Sequence, residues 1–265
     1  MKKYKGAVFF DFDGTLVDEK ANIYEPTATT KKAIECLKQN GYMTCLATGR
    51  ARCYVPKLDF DFDCYVTSNG ACAVVDNRFV IDDKISTADL IELVEYFDEK
   101  GYGFVTENDE KCYFGKKHVE GFVKMMETFN LDMGCFYEFP DNPEIVSANK
   151  LMFTYEGDEA FRKLIERFGD KYNMTRHRSN PSGDLTKKYI TKSFGIKAVI
   201  EAYELNIKDT YAFGDGENDF DMLNVIGNPV IMGRHADVLD SIGGYVTETV
   251  INEGVAKGLE HFGLI

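Results

Sequence analysis

Four short stretches of this sequence place polar side chains at the end of an apolar run: Asp11-Phe12-Asp13-Gly14-Thr15, Thr48-Gly49-Arg50, Ser68-Asn69-Gly70 and Gly214-Asp215-Gly216-Glu217-Asn218-Asp219. The first is the most unusual. Ala7-Val8-Phe9-Phe10 is continuous and apolar, as a strand buried on both faces should be, and it stops at two aspartates that bracket a phenylalanine. Residues two apart project to the same side while the strand lasts, and Gly14 allows the tight turn that keeps both carboxylates at the strand end. Left alone, the pair would repel and one member would take up a proton. A divalent cation relieves this, and an oxygen-only set that includes Asp215 suits Mg²⁺, which keeps several waters and accepts a substrate phosphate. No His or Cys stands in these loops to invite zinc.

A carboxylate so placed can attack phosphorus, splitting one hard displacement into two easier ones through an aspartyl-phosphate. A neighbouring acid can protonate the leaving alkoxide and later deprotonate the attacking water. Thr48 and Gly49 of the second loop, the amides after Asp13, and a lysine are suited to hold the phosphoryl oxygens. Lys192, between a strand and a helix start, is the candidate lysine.

The surrounding elements must bring these loops together. Residues 30 to 40 carry Ala33, Ile34 and Leu37 at helical spacing with Gly41 where the helix ends, and apolar strands are predicted at 42–47, 64–67 and 210–213. Strand, polar loop and helix alternate, which argues for a parallel sheet of right-handed crossovers. In such a sheet, ligands bind at the carboxyl ends of the strands, so the four loops should converge on one crevice. The regime changes from Ser86, an N-cap for a helix carrying Leu90, Ile91, Val94 and Phe97. Short strands and two more helices follow, and the loop Ser179–Asp184 closes this block. The sequence therefore predicts a discontinuous α/β, Rossmann-like core over 1–82 and 185–265, with an inserted α+β cap over 83–184.

Composition narrows the partners. Asp and Glu outnumber Lys and Arg by 44 to 31, which disfavours a nucleic-acid partner and leaves a small anionic substrate dependent on a metal ion or a few placed cations. Seven cysteines with no CxxC pair read as free packing thiols of a reducing cytoplasm. The start Met-Lys-Lys-Tyr-Lys-Gly has no signal-peptide core, and no apolar stretch approaches the roughly 18 residues of a membrane span. The expected partner is a small phosphorylated metabolite, with neither nucleic acid nor membrane.

The set Asp11-x-Asp13-Gly14-Thr15, Thr48, Lys192 and Gly214-Asp215-x-x-Asn218-Asp219 resembles the haloacid dehalogenase-like phosphatase superfamily. The large insert, the Ser68-Asn69-Gly70 loop and the tail Asn252-Glu-Gly-Val-Ala-Lys-Gly-Leu resemble its Cof-type sugar phosphatases. The resemblance implies Asp11 as nucleophile and Asp13 as general acid/base. It implies Mg²⁺ held by the Asp11 side chain, the Asp13 carbonyl and Asp215, with Thr48 and Lys192 on the phosphoryl group and Asn218 and Asp219 in support. Two departures stand out: Thr191-Lys192-Ser193 where many relatives have Ser-Lys-Gly, and Gly233-Arg234-His235-Ala236 where many have Gly-Asn-Ala.

Plainer readings compete at each position. Asp-x-Asp-Gly also makes turns and calcium loops, Thr48 could be an N-cap, Lys192 a solvated helix-start lysine, and Asp219 a first-turn acid favoured by the helix dipole. Asn69 reads equally as a substrate contact or as half of an Asn-Gly turn. In the insert, Arg176 and Arg178 read as a solvated strand face, and Phe104, Phe122, Phe136 and their aromatic neighbours as cap core. Two other functions share the chemistry or the fold: a phosphomutase, and a phosphometabolite sensor without turnover.

Overall fold

The computed structural model describes residues 3–128, 133–177 and 181–265. In chain order the strands are β1 (Ala7–Phe10), β2 (Met43–Ala47), β3 (Cys64–Thr67), β4 (Cys72–Val75), β5 (Arg78–Asp82), β6 (Phe104–Glu107), β7 (Cys112–Phe114), β8 (Phe136–Glu138), β9 (Lys150–Thr154), β10 (Tyr172–Arg176), β11 (Ser182–Lys187), β12 (Thr210–Gly214), β13 (Asn228–Ile231) and β14 (Tyr245–Val246). The α-helices are α1 (Ala28–Gln39), α2 (Thr87–Lys100), α3 (Val119–Thr128), α4 (Gly157–Phe168), α5 (Lys192–Ala202), α6 (Phe220–Val225) and α7 (Gly254–His261). They fall into two compact units, one of residues 1–49, 57–81 and 191–265, the other of 50–56 and 82–190.

The first unit is built on a sheet of order β14-β13-β12-β1-β2-β3-β4-β5. Its central pairs, β12 with β1, β1 with β2 and β2 with β3, are parallel. β1 is buried at all four positions, which accounts for its unbroken apolar run. Phe9, Cys45, Val66 and Ala212 pack with Ile196 and Val199 of α5 and Met222 and Leu223 of α6. α1 buries Ala33, Ile34 and Leu37 and packs against β2 and α7. Phe10 and Phe213 stack at 5.2 Å between ring centroids, fixing β1 beside β12. The register sets Phe10 opposite both Leu46 and Phe213, and Ala47 opposite Val66. The carboxyl ends of β1, β2, β3 and β12 are thereby level.

The second unit has a sheet of order β10-β11-β9-β6-β7-β8, antiparallel except for the β7–β8 pair. α2 and α4 cover one face through Leu90, Leu93, Phe97, Phe161 and Leu164 around Phe153. Ser86 caps α2 as predicted, accepting from the Asp89 amide at 3.2 Å, and Gly101 ends it with φ +75°. Val105, Cys112 and Met152 meet Phe122, Phe136 and Ala51 in a second cluster. Phe104, Phe122 and Phe136 are buried here, as a cap core requires.

Two expectations need correction. Ser182 to Asp184, read as loop, belongs to β11, which runs between β10 and β9 and continues to Lys187. Its Ser-Gly-Asp composition suggests a turn, but Gly183 is required by closeness: a Cβ there would lie 2.4 Å from the Thr175 carbonyl oxygen. The predicted core restart at 185 therefore cuts a strand, and residues 185–190, like 50–56, group with the second unit. Arg178, part of the predicted arginine pair, lies outside the described residues. Arg176 is exposed, pairs with Asp158 at 2.6 Å and lies 4.2 Å from the Phe161 ring centroid, a surface arrangement. No helix among the described residues is long and apolar enough to cross a membrane.

Candidate active site

The level strand ends of the first unit put the four polar loops side by side. Asp11 follows β1 directly and its amide donates to the Phe213 carbonyl of β12 at 3.0 Å, which holds it opposite the start of the Gly214–Asp219 loop. Gly14, at φ +96°, turns the chain back so that its amide donates to the Val17 carbonyl at 2.9 Å. No other residue fits there. A Cβ on Gly14 would come within 2.3 Å of both Asp215 carboxylate oxygens.

Lys192, the first residue of α5, is the centre of the cluster. Its side chain is 0% exposed, and its Nζ donates to Asp11 Oδ1 and, at 2.7 Å, to Asp219 Oδ1. Asp219 is fully buried as well, and its second oxygen accepts from the amides of Asp215 and Gly216, both at 2.9 Å. Asp219 thus fixes both the lysine and the turn that presents Asp215. Thr15 Oγ1 donates to Asp215 Oδ1 at 3.3 Å, and the Ala236 amide donates to the Asp215 carbonyl at 2.8 Å.

The second and third loops interlock. The Thr48 amide donates to the Val66 carbonyl at 2.9 Å and the Asn69 amide to the Thr48 carbonyl at 3.2 Å, while a Cβ on Gly49 would meet Asn69 Oδ1 at 3.0 Å. Ser68, Asn69 and Gly70 all take positive φ (52°, 55° and 95°), a costly run for two non-glycine residues. It is held against the start of α5, where a Cβ on Gly70 would lie 2.1 Å from the Thr191 carbonyl oxygen. The Asn-Gly pair is indeed a turn, and that turn also brings Asn69 to Gly49.

The electrostatics are one-sided. Asp11, Asp13, Asp215 and Asp219 bring four carboxylates to loops whose buried ammonium is Lys192, and ligand oxygens of Asp11, Asp215 and Asp219 all lie within 4.8 Å of one another. Burial first, then the charge of Asp219, push the Asp11 carboxyl well above its usual range, although Lys192 pulls the other way. The same two causes raise Asp215 to about 7. Burial disfavours the Lys192 ammonium, yet Asp11 and Asp219 outweigh it and keep it charged. Such a surplus of hard oxygen donors fits a divalent cation of the Mg²⁺ kind.

The candidate residues from the sequence lie on these loops or, for Lys192, at the start of α5, but they are not equivalent. Asp11, Lys192 and Asp219 are buried and bonded to one another, and Thr48 is buried on the adjacent loop. Asp13 and Asn218 are exposed, Asn218 with its Oδ1 over Gly216. The direct Lys192–Asp219 bond and the Thr15 contact to Asp215 were not foreseen. Arg234, singled out in the sequence with His235 as a departure, pairs at 2.7 Å with the buried Asp18, while His235 bonds the Met232 carbonyl and Asp240. The stretch 233–236 thus contacts two neighbouring loops: its Ala236 amide bonds the Asp215 carbonyl and its Arg234 bonds Asp18.

A parallel α/β core whose strand ends carry this acid–lysine cluster, with a second α+β unit inserted, defines the class. The sequence model of the haloacid dehalogenase-like hydrolase family matches residues 8–259, and the chain belongs to that family of hydrolases. A Bacillus subtilis protein named "Putative phosphatase YkrA" is 27% identical over 97% of this chain and 98% of its own length. The 5-amino-6-(5-phospho-D-ribitylamino)uracil phosphatase YcsE of the same organism is 23% identical over 96% and 94%. Among solved structures, the subclass IIB sugar phosphatase BT4131 superimposes with a TM-score of 0.84 over 98% of this chain and 100% of that one. At 23% identity that likeness speaks to the fold alone.

Proposed function

We propose that this protein is a Mg²⁺-dependent phosphatase that hydrolyses small phosphomonoesters, sugar phosphates foremost, through an aspartyl-phosphate on Asp11. The observation that carries the proposal is the buried Asp11–Lys192–Asp219 cluster beside Asp215 at the carboxyl ends of the central strands. Asp11 is the nucleophile: it is fixed by a backbone bond to β12 and its charge is paired with Lys192, so the carboxylate can be presented without free rotation. Asp13, two residues on and exposed, gives a proton to the leaving oxygen and takes one from the water that opens the acyl phosphate. Lys192, Thr48, Gly49 and Asn69 hold the phosphoryl oxygens, and Asn218 faces the substrate side of the last loop.

The Asp11 and Asp215 carboxylates with the Asp13 carbonyl would hold Mg²⁺, with Asp219 fixing the shell around them. When bound, the ion supplies the positive charge that lets an anionic carboxylate approach an anionic phosphate. The inserted unit, a cap in our reading, sets the choice of leaving group. YcsE, by its name a phosphatase of a small phosphorylated compound, supports the substrate class. Seven cysteines, with no disulfide among the described residues, support a reducing cytoplasm as the location.

The test is phosphate release from a panel of phosphorylated metabolites, with Mg²⁺ and with chelator, for wild type beside Asp11→Asn. Release that needs Mg²⁺ and is abolished by the substitution is expected. Isomerised sugar phosphate without free phosphate would replace hydrolysis by a mutase reaction, and ligand binding with no turnover would replace it by sensing.

A further inference from the structure

The mechanism leaves one cluster of reactive side chains unused. Cys53, in the 3-10 turn Arg52–Tyr54, meets Cys112 of β7 and Cys135, the last residue of the turn before β8. The Cys53 and Cys112 sulfurs are 3.5 Å apart, and all three sulfurs lie within 4.8 Å of one another. All three belong to the second unit. They come from segments far apart in sequence, so neither a local turn nor a heptad pattern brings them together.

We propose that Cys53, Cys112 and Cys135 form a binding site for a soft d¹⁰ metal ion, Cu⁺ in preference to Zn²⁺. Three sulfurs each about 2.3 Å from one ion would be about 3.8–4.0 Å apart, between the 3.5 Å of the Cys53–Cys112 pair and the 4.8 Å within which all three lie. Three thiolates satisfy Cu⁺, whereas a structural Zn²⁺ site wants four protein ligands. Among the described residues no fourth His, Cys, Asp or Glu joins the group.

Two further features suit a site rather than plain packing. Cys112 is buried while Cys53 and Cys135 are partly exposed, which gives an anchored ligand and an entry path. Cys53 is also held in place by its neighbour: the Tyr54 hydroxyl donates to buried Glu107 at 2.6 Å, and the Tyr54 ring packs 5.4 Å from that of Phe136, next to Cys135. A cysteine sulfur binds a metal as the thiolate. Each Cu–S bond therefore forms as one thiol proton leaves to solvent, and no electron is transferred. Affinity should rise with pH.

The test uses the full chain, fully reduced and kept under anaerobic conditions, titrated with Cu⁺ against a chromophoric Cu⁺ chelator. One equivalent bound per chain is expected, with thiolate-to-metal charge-transfer absorption. Cys53→Ser and Cys135→Ser should each weaken binding by at least about 100-fold, more than loss of an outer-shell partner costs. Cys36→Ser, in α1 of the other unit, should leave it unchanged. Circular dichroism of each variant confirms that the fold is intact. Absence of stoichiometric binding by the reduced wild type, or equal weakening by Cys36→Ser, would overturn the proposal. So would a Cys53–Cys112 disulfide as the only chemistry of the cluster.

Discussion

Among the described residues, each unit of this protein buries a lysine between two carboxylates, and the two clusters differ in their balance of charge. In the first unit Lys192 lies between Asp11 and Asp219, with Asp215 alongside; in the second, Lys150 lies between Glu107 at 3.2 Å and Asp184 at 2.8 Å. Both lysines are at most 3% exposed. Around Lys150 the remaining bonding capacity is taken up internally. Tyr54 donates to Glu107, and His177 approaches Asp184 at 3.4 Å. Desolvation raises the Asp184 carboxyl, but Lys150 and then His177 outweigh it, so its pKa falls well below the usual range, whereas burial holds the Glu107 carboxyl above its usual range despite Lys150. Around Lys192 the acids outnumber the base, and Asp11 and Asp215 are both pushed up. A closed network rigidifies a fold, whereas an open one with surplus negative charge asks for a cation.

The largest effect should come from Asp11, the proposed nucleophile. Asp11→Asn is expected to lower phosphate release by at least about 10⁴-fold, the scale of losing a covalent catalyst, while the native fold is kept at a lowered thermal midpoint, because Lys192 loses one buried partner and retains Asp219. Steady-state assay and calorimetry on the same preparation check both halves.

Next come the lysines, which sharpen the contrast. Removing either partner of a buried ion pair typically costs about 3–5 kcal/mol, so Lys192→Met and Lys150→Met should both be destabilised. Mg²⁺ should restore part of the loss in Lys192→Met and none in Lys150→Met, measured by denaturant midpoints with and without the ion. Equal rescue of both would break the comparison.

Mg²⁺ itself should stabilise the wild type by mass action, by about 2.7 kcal/mol at a hundredfold excess over its dissociation constant, and Asp215→Asn should abolish that gain. The smallest effect concerns pH in the metal-free protein. Asp215 is raised to about 7 from an unfolded value near 3.9, so the native state binds the extra proton between those values and stability falls as pH rises through that window. Asp215→Asn should therefore gain stability relative to wild type from about pH 4 to 7, and no further above it. Asp184 has the opposite sign: its depressed pKa contributes stability above about pH 4 that is lost as pH falls below it. Chelated samples melted across pH 3 to 8 separate the two.

Legibility from sequence followed the range of the interactions. β1, α1 and the Ser86 cap were readable because an apolar run, a helical spacing and a capping pair are local signals. The site loops were readable because acids and glycines at strand ends have few structural uses in that order. β11 was missed because Ser182, Gly183 and Asp184 are turn residues locally and strand residues only through β9 and β10. Lys150 opens an apolar strand with nothing nearby to mark it as buried, since Glu107 and Asp184 are 43 and 34 residues away. The thiol cluster was hidden for the same reason.

The most direct test of the central claim is to trap the intermediate. The enzyme mixed with its best substrate and Mg²⁺ would be quenched in acid, reduced with borohydride to convert an acyl phosphate to the alcohol, and mapped by mass spectrometry. The account predicts that residue 11 appears as homoserine in wild type and that the product is absent without substrate. Turnover at the normal rate with residue 11 unmodified, or modification at another carboxylate, would contradict it.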